Sequence, residues 1–280
     1  MTSVPTGAEH RARAALQAFG REPGRSAAIR VVLPGVDWSA GLDGDVARPA
    51  ASLLKLPLAM AAEEAAAADD SLMLRQASVA ELLAHWHEPS VLRALDPDHR
   101  LTLREAIRLT VSSSDGAAAS WLLALFGLAR VDQAVAVSGC EATSLMLSPG
   151  SPGGALIGQT TAADALRLLG AAVDESRHPI VAGALKASTL NSRIPLGVRR
   201  SDIDVAHKTG TLRSVAHDVA LLDVPGGQVW LAFLSDAQHD TLVTGYEMGL
   251  CTQQVLGAFD LQVTSSRSAV GTEGCRVGRG

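Results

Sequence analysis

Residues 51–58 read Ala51-Ser52-Leu53-Leu54-Lys55-Leu56-Pro57-Leu58. A helix beginning near Ser52 puts Ser52 and Lys55 three residues apart, on one face. Ser52 then lies at the helix N-terminus, where unpaired N–H groups and the positive end of the helix dipole favour developing negative charge. A serine hydroxyl is a poor nucleophile until an adjacent base activates it. Lys55, one turn deeper, is placed to hold or accept a proton. The pattern is short, and an N-capping serine followed by a solvated lysine also satisfies it. Its neighbours set this lysine apart: Leu53, Leu54, Leu56, Leu58, Ala59, Met60, Ala61 and Ala62 make the helix apolar nearly all round, hence buried. A lysine there is paired or functional.

Working outward, this helix runs to about residue 67. Before it, residues 27–33 and 38–42 read as two strands around the turn Pro34-Gly35, and residues 9–19 as a short amphipathic helix. After it, the pattern predicts helices over 79–86, 102–111, 117–128, 131–137, 161–173 and 178–189, with Thr102 and Glu105 forming a capping box. Residues 144–147 make a short extended piece. Residues 148–158, rich in Gly and Pro, read as loop. Three strands follow, over 204–207, 216–223 and 228–235, the last two joined at Val224-Pro225-Gly226-Gly227, and a closing helix spans 242–256.

Strands at both ends with helices between predict an α+β fold. An antiparallel sheet forms from the N- and C-terminal strands, packs against helices, and carries an inserted all-helical region. The expected organisation is an N-terminal segment 1–25, one domain over 26–262, and a mobile tail over 263–280. The sheet part of the domain takes 26–66 and 201–262, the helical part 67–200. No internal repeat is present.

The 280 residues are 47% apolar and 19% charged, which is globular rather than disordered. A net charge of −5 without a dense basic run argues against a nucleic-acid partner, and 3% aromatic content against a base-stacking surface. No apolar stretch is expected to reach membrane-spanning length. Residues 1–25 have no continuous apolar h-region. Cys140, Cys251 and Cys275 are odd in number and widely spaced, giving neither a disulfide nor a zinc framework. These two features give the expectation of a cytoplasmic protein without metal or cofactor.

Two further signals follow Ser52: Ser112-Ser113-Ser114-Asp115-Gly116 at the junction of two predicted helices, and His207-Lys208-Thr209-Gly210-Thr211 at the end of a predicted strand. Ser-x-x-Lys, Ser-Asp-Asn and Lys-Thr-Gly, in that order, are the signature of class A β-lactamases and penicillin-binding proteins. From about residue 25 to 262 the chain resembles that family, with Ser-Asp-Gly as its second motif. The resemblance implies that Ser52 is the acylated nucleophile, Lys55 its proton acceptor or electrostatic activator, and Ser114 the relay to the leaving atom. Lys208 would hold a substrate carboxylate and tune Ser114, with hydroxyl contacts from Thr209 and Thr211. The N–H groups of Ser52 and Thr211, beside Gly210, would form the oxyanion hole. The implied partner is a small molecule carrying an acyl group and a carboxylate.

The chain departs from the family in two places. Gly116 stands where the family has an Asn that contacts the buried lysine and the acyl amide of a β-lactam. The second departure concerns the glutamate on an Ω-shaped loop that activates the deacylating water in class A enzymes. The matching segment falls between Cys140 and Thr161, and no carboxylate occurs from Ala142 to Ala163. Glu141 and Asp164 flank it, neither in the expected place. Other residues stay open. The run His85-Trp86-His87-Glu88 lines the pocket mouth or is a polar loop with a packed Trp; its histidines, two apart, do not share a helix face for zinc. His207 is expected to pack beside the strand end, and His217-Asp218 to begin the next strand. Arg213 either pairs with a substrate carboxylate or is an exposed hairpin arginine.

The reading is therefore a serine acyl hydrolase or transferase. It forms an acyl-Ser52 intermediate from an amide, ester or lactam, in a biosynthetic or tailoring step. The alternatives are a weak class A-type β-lactamase, and a lactam-binding or sensor protein that is acylated but not deacylated.

Overall fold

The structure, a computed structural model, describes residues 5–149 and 155–262. The central sheet starts at β1 (Arg25–Leu33) and β2 (Val36–Leu42), a hairpin whose two-residue turn is the expected Pro34-Gly35. It is completed from the far end of the chain by β8 (Asp204–Leu212), β9 (Val215–Val224) and β10 (Gly227–Ser235). The spatial order is β2-β1-β10-β9-β8, antiparallel throughout, with Arg25 opposite Ser235 and Lys208 opposite Val219. This is the predicted sheet of two chain ends.

Both faces of the sheet are covered, so β9 reads as an apolar run instead of an alternating one. Ile29, Ala220, Leu222, Leu231 and Phe233 pack toward α1 (Ala8–Phe19) and the closing helix (Thr241–Ala258). Val219, Leu221, Ala232 and Leu234 join the larger core built on the helices between. Those are α2 (Lys55–Ala68), α3 (Val79–Leu83), α4 (Leu103–Ser112), α5 (Gly116–Val137), α6 (Ala162–Ala172) and α7 (Pro179–Lys186). The closing helix is α8. The Thr102–Glu105 capping box at α4 is present.

The inserted region is not all helical. Two short strands, β4 (Gln76–Ser78) and β5 (Arg100–Thr102), pair with each other. β3 (Arg48–Pro49), β6 (Ser144–Leu147) and β7 (Leu156–Thr160) form a three-stranded sheet in the order β3-β7-β6. The loop expected over 148–158 is thus shorter; β7 forms because β3 and β6 supply partners on both sides. The two helices expected over 117–137 are present within α5, meeting at Gly127, whose φ of 72° and ψ of 164° are not helical. By length and composition α5 is long enough to cross a membrane, contrary to the sequence expectation, because Arg130 and Asp132 are its only charges. Its Ala118, Leu122 and Val131 are fully buried in the larger core. The expected tail lies outside the described residues.

Candidate active site

Ser52 sits in a 3-10 helix (Ala51–Leu54) that leads directly into α2, instead of in the first turn of the α-helix. In a 3-10 helix positions i and i+3 eclipse, so Ser52 and Lys55 remain on one face. The turn enters through Ala51 with φ 49°, in the left-handed region that a non-glycine residue occupies only when its surroundings hold it there. Two contacts do so. Ala50 N–H donates to the Gly158 carbonyl of β7 at 2.8 Å. On the other side Gly210 of β8 lies against Ala51; a Cβ at Gly210 would come within 3.3 Å of the Ala51 Cβ. The glycine of the third motif thereby lets the strand approach the serine turn.

The second motif joins α4 to α5. Ser114 has φ 57°, again left-handed. Asp115 is buried and caps α5 by accepting from Ala118 N–H at 2.9 Å; it also accepts from Ser90 Oγ at 2.7 Å and Val91 N–H at 2.9 Å. This carboxylate therefore anchors the segment that carries Trp86 and Glu88. Ser114 is the meeting point of two lysines. Lys208 Nζ donates to Ser114 Oγ at 2.9 Å and to the Thr209 carbonyl at 2.8 Å. Lys55 Nζ donates to the Ser114 carbonyl and lies 3.4 Å from its Oγ.

Burial lowers the Lys55 pKa to about 8, with Asp115 opposing the shift. Lys208 is lowered well below the ordinary lysine value by burial, with the Lys55 charge adding to the effect and Asp218 opposing it. Both shifts raise the share of neutral amine, the form that a proton acceptor for a serine requires.

Behind the third motif lies a buried polar network. His207, within β8, and Asp218 of β9 are linked at 3.0 Å (Nδ1 to Oδ1), and His207 Nε2 is 3.0 Å from Asn191 Oδ1. Asp218 also accepts from Ile194 N–H at 3.0 Å. Arg193, buried, donates to the Gly210 carbonyl at 2.8 Å, to the His217 carbonyl, and to Thr211 Oγ1 at 2.6 Å. His217 accepts from Ser235 N–H at 3.1 Å through Nδ1, and its Nε2 faces the Pro49 carbonyl at 2.6 Å. This defines a neutral ring that donates through Nε2, and burial depresses its pKa to about 4.

The cavity at this site measures about 640 Å³. Ser52, Lys55, Ser114, Gly116 and Thr211 line it. Lys208 lies directly behind Ser114, and Thr209 and Gly210 are buried in the strand beside it. Arg213 does not join them: it is exposed in the two-residue turn between β8 and β9 and is not part of the cavity wall. Arg193 is the arginine against the site. It stands alone between a predicted helix and a predicted strand, outside all three motifs, so nothing in the sequence pointed to it.

Trp86 and Glu88 line the cavity, whereas His85 and His87 are exposed. The Trp86 indole rests on Gly116, where an added Cβ would lie 2.0 Å from its Cζ2 and 2.6 Å from its Cη2. Glycine is therefore required at this position as long as the indole stays. Neither flanking carboxylate reaches the wall. Glu141 is exposed, and Asp164 is buried in α6, accepting from Ala142 N–H and Thr143 Oγ1, each at 2.9 Å, and from Arg167 at 2.6 Å. Leu156 and Ile157 of β7 line the cavity instead.

Comparison with known proteins agrees with this geometry. A β-lactamase from Sphaerobacter thermophilus DSM 20745 is 24% identical and superposes with a TM-score of 0.77, covering 90% of this chain and 98% of that one. PBP-A is 20% identical with a TM-score of 0.74, covering 92% and 99%. A point mutant of PBP-A, solved as an acyl-enzyme complex with penicillin G, is 21% identical with a TM-score of 0.73, covering 90% and 96%. At these identities the likeness establishes the fold. No curated protein matches in sequence. Residues 12–248 match the model of the family described as the β-lactamase enzyme family. With that match spanning most of its length, the chain belongs to the β-lactamase enzyme family of serine hydrolases.

Proposed function

We propose that the site transfers an acyl group through Ser52 and resolves the acyl-enzyme slowly. The observation that carries this is the convergence of Lys55 and Lys208 on Ser114, at the wall of a cavity that Ser52 also lines. Neutral Lys55 takes the Ser52 proton as Oγ attacks the acyl carbon. The oxyanion that forms is held by the N–H groups of Ser52 and Thr211, each such donor being worth about 10²–10³ in rate. Ser114, supplied by the lysines, passes a proton to the leaving oxygen, sulfur or nitrogen as its bond to the acyl carbon breaks. A substrate carboxylate is met by Thr211, whose hydroxyl Arg193 orients, with Lys208 acting through Ser114. Thr209, buried in the strand, contributes packing.

What supports slow resolution is the β7 stretch of the cavity wall. It carries Leu156 and Ile157, with no carboxylate in the segment from Ala142 to Ala163 to activate water. This favours an ester- or thioester-processing, tailoring type of reaction, or one-time acylation, over efficient drug hydrolysis. The acyl-enzyme of the PBP-A mutant supports the view that this fold holds a penicillin-derived acyl group.

The test is intact mass followed over time after adding a penicillin, with Ser52→Ala as control. A persistent adduct present only with Ser52 is expected. Rapid return to free enzyme with accumulating product identifies an efficient β-lactamase instead. Absence of any adduct removes lactams from the substrate range. Lys55→Ala is expected to slow acylation by about 10²–10⁴-fold, the range for loss of a positioned base.

A further inference from the structure

The cavity wall is largely apolar, and it lacks a side chain at Gly116 and a carboxylate on the β7 stretch that lines it. At Gly116 there is no side chain, and the Trp86 ring fills the space beside it. Leu58, Ala119, Leu123, Leu156 and Ile157 also line the cavity, with Ser120 as a hydroxyl on the same helix as Gly116. The surface continues outward on the same terms. Ile157 and Leu212 belong to the wall and are 42% and 51% exposed; Met146, opposite Ile157 in the β6–β7 register, is 56% exposed. Large apolar side chains displayed together at the mouth of a reactive cavity mark a binding surface. Glu88 also lines the cavity, exposed, and gives no help to an anionic acyl tail.

We propose that the acyl group taken by Ser52 is an apolar chain without an acylamino substituent, presented as an ester or thioester. This rests on the acyl-Ser52 reading above and specifies its substrate. The chain lies between the Trp86 face and the Leu156–Ile157 edge, with its carbonyl at Ser52 and its end on the Ile157–Leu212–Met146 lip. A volume of about 640 Å³ is in the range that holds drug-sized ligands, enough for a medium-length chain and its leaving group. In the covalent step Ser52 Oγ bonds to the acyl carbon, the bond to the ester oxygen or thioester sulfur breaks, and the Ser52 proton ends on that leaving atom by way of Lys55 and Ser114. Water or a second nucleophile then takes the acyl group.

The test is kcat/KM for p-nitrophenyl esters from acetate to dodecanoate, below their micelle concentrations, with the Ser52→Ala rate subtracted. Each added methylene is expected to raise kcat/KM about two- to fourfold until the cavity is filled, following the transfer free energy of a buried CH₂. In Ile157→Asp, at an exposed position that tolerates the change, the slope per methylene falls. Ala119→Leu, which fills the wall, moves the optimum to shorter chains. A Ser52-dependent profile that is flat, or best with acetate, overturns the proposal while leaving acyl-Ser52 chemistry in place. So does acylation by penicillin G faster than by the octanoyl ester. If no ester, no penicillin and no fluorophosphonate probe modifies the protein at Ser52, the underlying reading falls, and the substrate assignment with it.

Discussion

Lys55 and Lys208 share one serine, and burial is what lowers both, with the Lys55 charge adding to the effect at Lys208. With Lys55 at about 8, the neutral form is the minority species at neutral pH and gains tenfold with each pH unit. The second-order rate of acylation is therefore expected to rise about tenfold per unit up to pH 8 and to level above it. A stopped-flow profile from pH 6 to 9.5 checks this; a flat profile assigns the base elsewhere. Gly116 makes a second residue-scale prediction. Gly116→Asn alone drives a Cβ into the Trp86 ring, and is expected to destabilise the fold by about 1–3 kcal/mol without improving acylation by penicillins. Combined with Trp86→Ala, the same asparagine gains room for an amide contact and acylation rises. Thermal unfolding and acylation rates of the two variants decide; a gain in the single variant would show that the indole is not wedged there.

Among the elements, β9 and β10 are tied to the segment entering the Ser52 turn by His217, which bridges Ser235 N–H and the Pro49 carbonyl. Protonating Nδ1 removes its acceptor; burial opposes the new charge, and Arg193 and Arg48 add to that. The folded-state pKa of about 4 lies below the ordinary 6.5, so this stability is present above pH 6.5 and is lost as pH falls from 6.5 to 4. The loss amounts to about 3 kcal/mol, at 1.36 kcal/mol per unit. Urea unfolding of the wild type between pH 7 and 4 is expected to show this slope, and His217→Gln to flatten it. The element scale also shows what the sequence could disclose. Apolar patterning located β1, β2, β9, β10 and the main helices to within a few residues, because each carries a regular apolar face or a continuous apolar run bounded by turn signals. It missed β7, whose Gly158 is demanded by a neighbour: an added Cβ would stand 1.9 Å from the Ser144 carbonyl oxygen. It ended β8 at His207, whereas the strand carries the whole third motif to Leu212. Lys208 is polar by composition and buried only through partners distant in sequence.

For the whole molecule, motif order was enough to assemble Ser52, Lys55, Ser114 and Lys208 in one place, since the chemistry constrains residue type and order. It was not enough to find Arg193 or the seating of Trp86 on Gly116, which depend on distances between separate segments. Nor could it place Arg213, which stands exposed in the β8–β9 turn.

The central sheet has a temporal consequence. β1 is hydrogen-bonded between β2 and β10, so the first hairpin made waits with one edge open until nearly the whole chain exists. During that interval Ala27, Ile29 and Val31 lack their partner strand and the closing helix, and the serine turn exists without Lys208 behind it. Pairings of such high sequence separation form late and slowly. A nascent or truncated chain is thus catalytically silent and exposed to misassociation. Reactivity toward a serine-directed probe would report completed synthesis and closure of the sheet, and not simply the presence of the nucleophile.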